Sequence, residues 1–172
     1  TSRSDGGDQG PTQPACSPGE EGTIFVKGDN VMKGYFKNPL ATQEVLKDGW
    51  LNTGDIGTRD ADGYLYLRGR SKNLIISNGN NIYPEEIEEV LVQFPGVEEA
   101  LVYGVPHPDY QEMPEAKIVV SRDVSVKELQ SFCLARLSGF KIPRRFLICD
   151  SLEKTPSGKL KRERLKSEDG QG

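Results

Sequence analysis

The chain of 172 residues is poor in the side chains that carry much of enzyme chemistry, with one histidine (His107) and three cysteines (Cys16, Cys133 and Cys149) spread far apart. No C-x-x-C pair occurs, so neither a disulfide framework nor a zinc site is expected. A single histidine leaves little room for a Ser- or Cys-His triad. No apolar run approaches the ~18 residues that span a bilayer, and no basic-then-apolar signal pattern opens the chain, so the reading is a cytoplasmic protein without a transmembrane segment. Residues 1–20 contain no Leu, Ile, Val, Met or aromatic residue. Such a segment cannot offset the entropy of ordering, which predicts a disordered leader.

What is plentiful is glycine (19) and proline (11), placed mostly at turns, which argues for many short strands. The net charge of −4 hides an asymmetry: residues 141–166 carry nine Lys/Arg against three Asp/Glu, whereas the body before them is acidic. A local basic segment on an acidic body suits an anionic ligand such as phosphate and argues against a broad nucleic-acid face.

Short extended runs are predicted over 23–27, 50–52, 56–59 and 64–68, with a turn at residues 60–63. Asn38 before Pro39 offers an N-cap and a first-turn proline for a short helix to about Leu46. A second hairpin, 74–76 with 81–83, closes around Asn78 and Gly79. A helix then starts at Pro84, with Ile87, Val90, Leu91 and Phe94 on one face and Glu85, Glu86, Glu88 and Glu89 suited to its positive end. Strands over 98–103 and 116–120 flank a Pro-rich loop. Ser125 and Glu128 form a capping-box pattern ahead of Val126, Leu129, Phe132, Cys133 and Leu137. Residues 146–149 make the last strand. The order β-β-α-β-β-α-β describes a compact α+β domain after a β-rich segment, the boundary lying near residues 70–72.

Four places combine glycine with a polar or charged neighbour: Asp55 after Gly54, Arg70 after Gly69, Ser77–Asn80 around Gly79, and Lys159 after Gly158. Each has a plain alternative: a Gly-Asp turn, a surface arginine at a strand end, a hairpin tip, and a solvated basic loop. The Lys159 loop is not a phosphate loop of the Walker type, because its first glycine is absent and Leu160 stands where Ser or Thr would be. Asp60 and Asp62 lack the further ligands of a calcium loop, and no other metal site is expected.

Together, the runs GTIFVKG (22–28), VMKGY (31–35), GWLNTGD (49–55), GRSKNLIISNG (69–79), NNIYPEEIE (80–88), FKIP (140–143) and PSGK (156–159) resemble the C-terminal portion of the adenylate-forming superfamily. That group holds acyl-CoA synthetases, peptide-synthetase adenylation domains and luciferase. The resemblance implies a leader over 1–20, the terminal β-rich piece of a large adenylation domain over 21–70, a mobile C-terminal domain over 71–166, and a disordered tail over 167–172. It also implies a two-step reaction. A carboxylate attacks the α-phosphate of ATP, releasing pyrophosphate, and the thiol of coenzyme A then displaces AMP from the acyl-adenylate.

By the same resemblance, Asp55 and Arg70 would bind the nucleotide, Lys159 would be catalytic in adenylation, and Lys72 would be the hinge. Ser77, Asn78, Gly79 and Asn80 would form a loop facing the coenzyme A tunnel, where a Cβ on Gly79 would crowd the incoming chain. Mg2+ is expected with ATP, on ligands outside this chain. The family's phosphate loop and acyl pocket are missing from this sequence, so the chain is expected to be inactive alone and to need an N-terminal domain as partner. Thr23 stands where many members have Glu, and Gln111 where Gly is common. Residues 69–79 look closest to fatty-acid enzymes. Two other readings are a domain that loads a carrier-protein phosphopantetheine, and a non-catalytic module binding a partner or an anionic ligand.

Overall fold

A computed structural model describes residues 15–162. Residues 1–14 of the expected leader, residues 163–166 of the expected C-terminal domain and the expected tail over 167–172 therefore lie outside the described residues. The chain divides into two compact units, the first ending at Ser71 and the second beginning at Lys72.

The first unit is built on one long strand. β1 (Glu21–Val26), α1 (Pro39–Val45), β2 (Leu46–Lys47), β3 (Trp50–Arg59) and β4 (Leu65–Arg70) follow in order, and β3 pairs antiparallel with the other three. The two short runs expected over 50–52 and 56–59 are one strand, because Gly54, at φ +73°, turns the backbone without ending the pairing. α1 begins as its sequence requires: Asn38 Oδ1 accepts from the Ala41 N–H at 3.1 Å, and Pro39 fills the first turn. Before β1, residues 15–20 of the expected leader form a turn tied down by the Gly19 N–H, which donates to the Arg59 carbonyl at 2.8 Å. Among the described residues of this unit no large apolar side chain is fully buried, and Tyr64, Leu65, Tyr66 and Leu67 are exposed in succession.

The second unit carries the core. β5 (Ile75–Ser77), β6 (Asn80–Ile82), α2 (Pro84–Leu91), β7 (Val97–His107), β8 (Gln111–Val120), α3 (Val126–Leu134) and β9 (Phe146–Ile148) give the α+β order expected. Its sheet runs β6-β5-β8-β7, with β9 parallel to β8. Ile87 and Leu91 of α2 and Leu129 and Cys133 of α3 share one buried cluster with Ile75, Ile82, Val102, Ala116 and Ile118 of the sheet. Phe94 and Phe132 meet edge to face at 5.2 Å beside it.

Three local expectations are corrected. The Pro-rich loop between the two strands is a hairpin paired from Val97↔Val120 to His107↔Gln111. Proline removes only a donor, and the Pro114 carbonyl still accepts the Arg144 N–H at 2.8 Å. The capping box of α3 does not close: Ser125 is the N-cap but its side chain makes no cap hydrogen bond, since the exposed helix start can be served by water. Val126 is 39% exposed and lies outside the apolar stripe.

Candidate functional site

In the first unit the structure brings Asp55 and Arg70 together. They are direct cross-strand partners on β3 and β4, and Arg70 Nε lies 3.0 Å from Asp55 Oδ1. The segment before Asp55 is held by side chains: Thr53 Oγ1 donates to the Ile24 carbonyl at 3.0 Å and accepts the Asp55 N–H at 3.1 Å, while Asn52 Oδ1 takes the Gly54 N–H at 2.9 Å. Ser71 Oγ donates to the Gly54 carbonyl at 3.1 Å. The carboxylate is thus fixed on a braced strand, with Oδ2 unpartnered among the described residues. An oriented, half-buried carboxylate with one free oxygen accepts hydrogen bonds from hydroxyl groups. Arg70, half exposed, orients it.

In the second unit, Lys72 sits exposed in a short 3-10 helix over Ser71–Asn73. The β5–β6 turn is as the sequence required: Asn78 and Gly79 both have positive φ, +47° and +77°, the combination that suits a two-residue hairpin. Among the described residues nothing lies within 4 Å of a Cβ built on Gly79, so the backbone angle accounts for this glycine and crowding among them does not. Ser77 is buried, and its hydroxyl reaches the Met113 sulfur at 3.5 Å. Asn80 Nδ2 donates to the Ser77 and Asn78 carbonyls, each at 3.3 Å.

Lys159 rides a turn closed on itself. The Thr155 N–H donates to the Lys159 carbonyl at 2.7 Å, the Lys159 N–H donates to Thr155 Oγ1 at 3.2 Å, and Lys154 and Leu160 form a bridge. Among the described residues no carboxylate pairs with the Lys159 ammonium. A preformed turn carrying an unpaired cation can deliver charge to an anion at small cost in ordering. Within this unit, no hydrogen bond or ion pair among the described residues joins Lys159 to Lys72 or to residues 77–80.

Sequence reasoning missed what holds this turn down. Arg162 makes a two-pronged pair with Glu88, Nη1 to Oε1 and Nη2 to Oε2 both at 2.6 Å, and Nη1 also donates to the Val102 carbonyl at 3.0 Å. Glu88 Oε1 in turn accepts the Val102 N–H at 2.7 Å. Burial works against the Arg162 charge, but Glu88 and then Glu85 outweigh it and hold the guanidinium pKa above its usual value. The acidic residues of α2 thus have individual partners beyond the helix dipole: Glu85 takes Asn73 Nδ2 at 2.7 Å and Glu86 takes Lys141 Nζ at 2.7 Å. The alternation of acids in PEEIEE and the basic tail were both visible signals, but their pairing spans more than 50 residues. Among the described residues no group of three His, Cys, Asp or Glu is placed to hold a metal ion, and no helix is long and apolar enough to cross a membrane.

Comparison with known proteins covers most of the chain. Residues 86–159 match the family model for the AMP-binding enzyme C-terminal domain. The chain is 47% identical over 150 residues to a 2-succinylbenzoate–CoA ligase of Bacillus licheniformis, covering 87% of this chain and 31% of that protein. It is 46% identical over 154 residues to a feruloyl-CoA synthase of Amycolatopsis, covering 88% of this chain and 31% of that protein. Among solved structures, the o-succinylbenzoate CoA synthetase of Bacillus subtilis with its acyl-adenylate intermediate superposes with a TM-score of 0.81 at 45% identity, over 84% of this chain and 30% of that one. The same enzyme has been solved with ATP and magnesium ion. An amide bond synthetase of Marinactinospora thermotolerans superposes with a TM-score of 0.76 at 37% identity, over 84% of this chain and 30% of that one. The chain spans about a third of the length of the curated relatives it matches. With its AMP-binding C-terminal domain and these relatives, the chain belongs to the adenylate-forming enzymes and corresponds to their C-terminal portion.

Proposed function

We propose that this chain serves an AMP-forming acid–thiol ligase, joined to an N-terminal portion that holds the phosphate loop and acyl pocket, and that the enzyme joins a carboxylic acid to coenzyme A through an acyl-adenylate. Asp55 accepts the ribose hydroxyls of the nucleotide, steadied by Arg70. Lys159 carries its charge to the α-phosphate and carboxylate oxygens during adenylation, and Lys72 is the hinge between half-reactions. Ser77, Asn78, Gly79 and Asn80 face the path of the thiol. ATP arrives with Mg2+ held outside this chain. The observation that carries this reading is the Lys159 ammonium, unpaired among the described residues, on its closed turn in a chain 47% identical to a CoA ligase.

The acid is aromatic in this reading. The fatty-acid expectation rested on residues 69–79 and finds no support among these relatives. The relatives' names, 2-succinylbenzoate–CoA ligase and feruloyl-CoA synthase, point to aromatic carboxylates instead.

The test is a chimera that replaces the matching portion of the Bacillus subtilis 2-succinylbenzoate–CoA ligase with this chain. Thioester formation from 2-succinylbenzoate is expected. Lys159→Ala should slow adenylation roughly 100- to 1,000-fold, the usual loss of one preorganised charge, while sparing thioester formation from supplied acyl-adenylate. Equal loss of both steps would remove Lys159 from this role. The longer enzyme that carries this chain should prefer 2-succinylbenzoate or ferulate to palmitate, and a preference for palmitate would reverse the substrate class.

A further inference from the structure

The turn that presents Ser77, Asn78, Gly79 and Asn80 closes the β5–β6 ladder, paired from Ile75↔Ile82 to Ser77↔Asn80, and is braced on the other edge of β5 by a neighbouring hairpin. On that edge β5 joins β8 through a single register pair, Ser77↔Gln111, so the backbone ladder between these two strands is short. The tip of the β7–β8 hairpin supplies the rest. The Tyr110 carbonyl accepts the Asn78 N–H at 2.9 Å, and Glu112 Oε2 accepts the Ile76 N–H at 3.0 Å. The Glu112 side chain therefore stands in for a ladder carbonyl on a strand that lacks one.

Two backbone features of the hairpin permit this. Gln111 is held at φ +67°, in the left-handed region that glycine favours, which turns the strand as it leaves the tip. Gly104, the cross-strand neighbour of Pro114, lies under the carboxylate: a Cβ there would stand 3.2 Å from Glu112 Cδ and Oε1 and 3.2 Å from Ile75 Cγ1. A Cβ at 104 requires the carboxylate or Ile75 to give way by a few tenths of an ångström.

We propose that Glu112 is a positioning residue for thioester formation: through the space left by Gly104, its carboxylate fixes the Ile76 N–H and with it the start of the 77–80 turn. This rests on the reading above that the turn faces the path of the thiol. In this role Glu112 acts through β5.

Two measurements separate the hold from its use. Amide hydrogen exchange on the 172-residue chain should show Ile76 and Asn78 exchanging about tenfold faster in Glu112→Ala, the scale of one charge-assisted hydrogen bond lost, with Val102 and Ile118 unchanged. Gly104→Ala should do the same, and the double variant should add little, because both remove one contact. In the chimera, Glu112→Ala should slow thioester formation from supplied acyl-adenylate and leave adenylation at its original rate, with Glu112→Gln recovering most of the loss through its amide oxygen. Unchanged exchange at Ile76 overturns the hold. Faster exchange with thioester formation intact, or with both half-reactions slowed alike, overturns the positioning role. If the unmutated chimera forms no thioester, the functional reading falls, and the exchange data still decide whether Glu112 holds the turn.

Discussion

Arg162→Ala isolates the contact that ties the Lys159 turn to the body of its unit. The side chains of Arg162 and Glu88 are 22% and 13% exposed, so the pair lies between a surface bridge and a buried one. Surface pairs contribute about 0–1 kcal/mol, and breaking a buried pair costs about 3–5 kcal/mol because the remaining charge is stranded. Here the stranded group is the Glu88 carboxylate, which keeps only the Val102 N–H, and the Val102 carbonyl loses the Arg162 donor as well. A loss of about 2–3 kcal/mol follows, which on a unit of roughly a hundred residues lowers Tm by ~10–20 °C. The assay is calorimetry of the whole chain, with the transition of the second unit identified by the near-UV signal of Tyr83 and Tyr103, both buried there. Glu153→Ala, which removes the 77%-exposed partner of Lys161, is the control and should change stability by less than about 0.5 kcal/mol. If Arg162→Ala behaves like that control, the pair is a surface contact and the argument that it anchors the turn is wrong.

Two further outcomes follow from the local structure. Asn38→Ala removes a formed cap and should cost about 1 kcal/mol in the first unit, whereas Ser125→Ala, at a cap with no side-chain bond, should be near neutral; chemical denaturation of the two variants tests this, and equal costs would contradict the hydrogen-bond assignment. Burial pushes the Cys133 thiol up to about 11 from its ordinary 9.0, with Arg136 opposing weakly. The folded state therefore holds this proton more tightly than the unfolded one, so its contribution is complete below pH 9 and falls by about 1.4 kcal/mol per unit as pH rises toward 11. A denaturation midpoint flat across pH 9–11, or rapid labelling of Cys133 by a thiol reagent in the native chain at pH 8, would refute it.

The parts of the fold that were legible in the sequence are those that neighbours within a few residues decide. Asn38 with Pro39 marked the start of α1, the spacing of Ile87 and Leu91 marked the buried face of α2, and Asn78 with Gly79 marked a turn that needs two positive φ angles. What was not legible depends on distant partners. The strand continuing through Pro106 and Pro114 is sustained by its cross-strand register and by Arg144, information absent from the local prolines. Likewise Ser125 and Glu128 satisfied a local pattern that the exposed helix start did not use. Asp55 and Arg70 were each weak alone, 15 residues apart, and the β3–β4 register makes them a pair. Glu112 and Arg162 carried no motif weight, since their partners Ile76 and Glu88 lie 36 and 74 residues away.

The run Tyr64–Leu65–Tyr66–Leu67 governs how the purified chain will behave at high concentration. Its four side chains are between 54% and 69% exposed, and Leu65, Tyr66 and Leu67 lie on β4, which among the described residues pairs only with β3. An apolar strand with an open edge is a template for strands of other molecules, and here no proline or inward charge interrupts the run. Preparations of the whole chain are therefore expected to self-associate through this edge as they are concentrated. A lysine in place of Leu65 or Leu67 supplies the charge that such edges usually carry, and should keep the material dispersed.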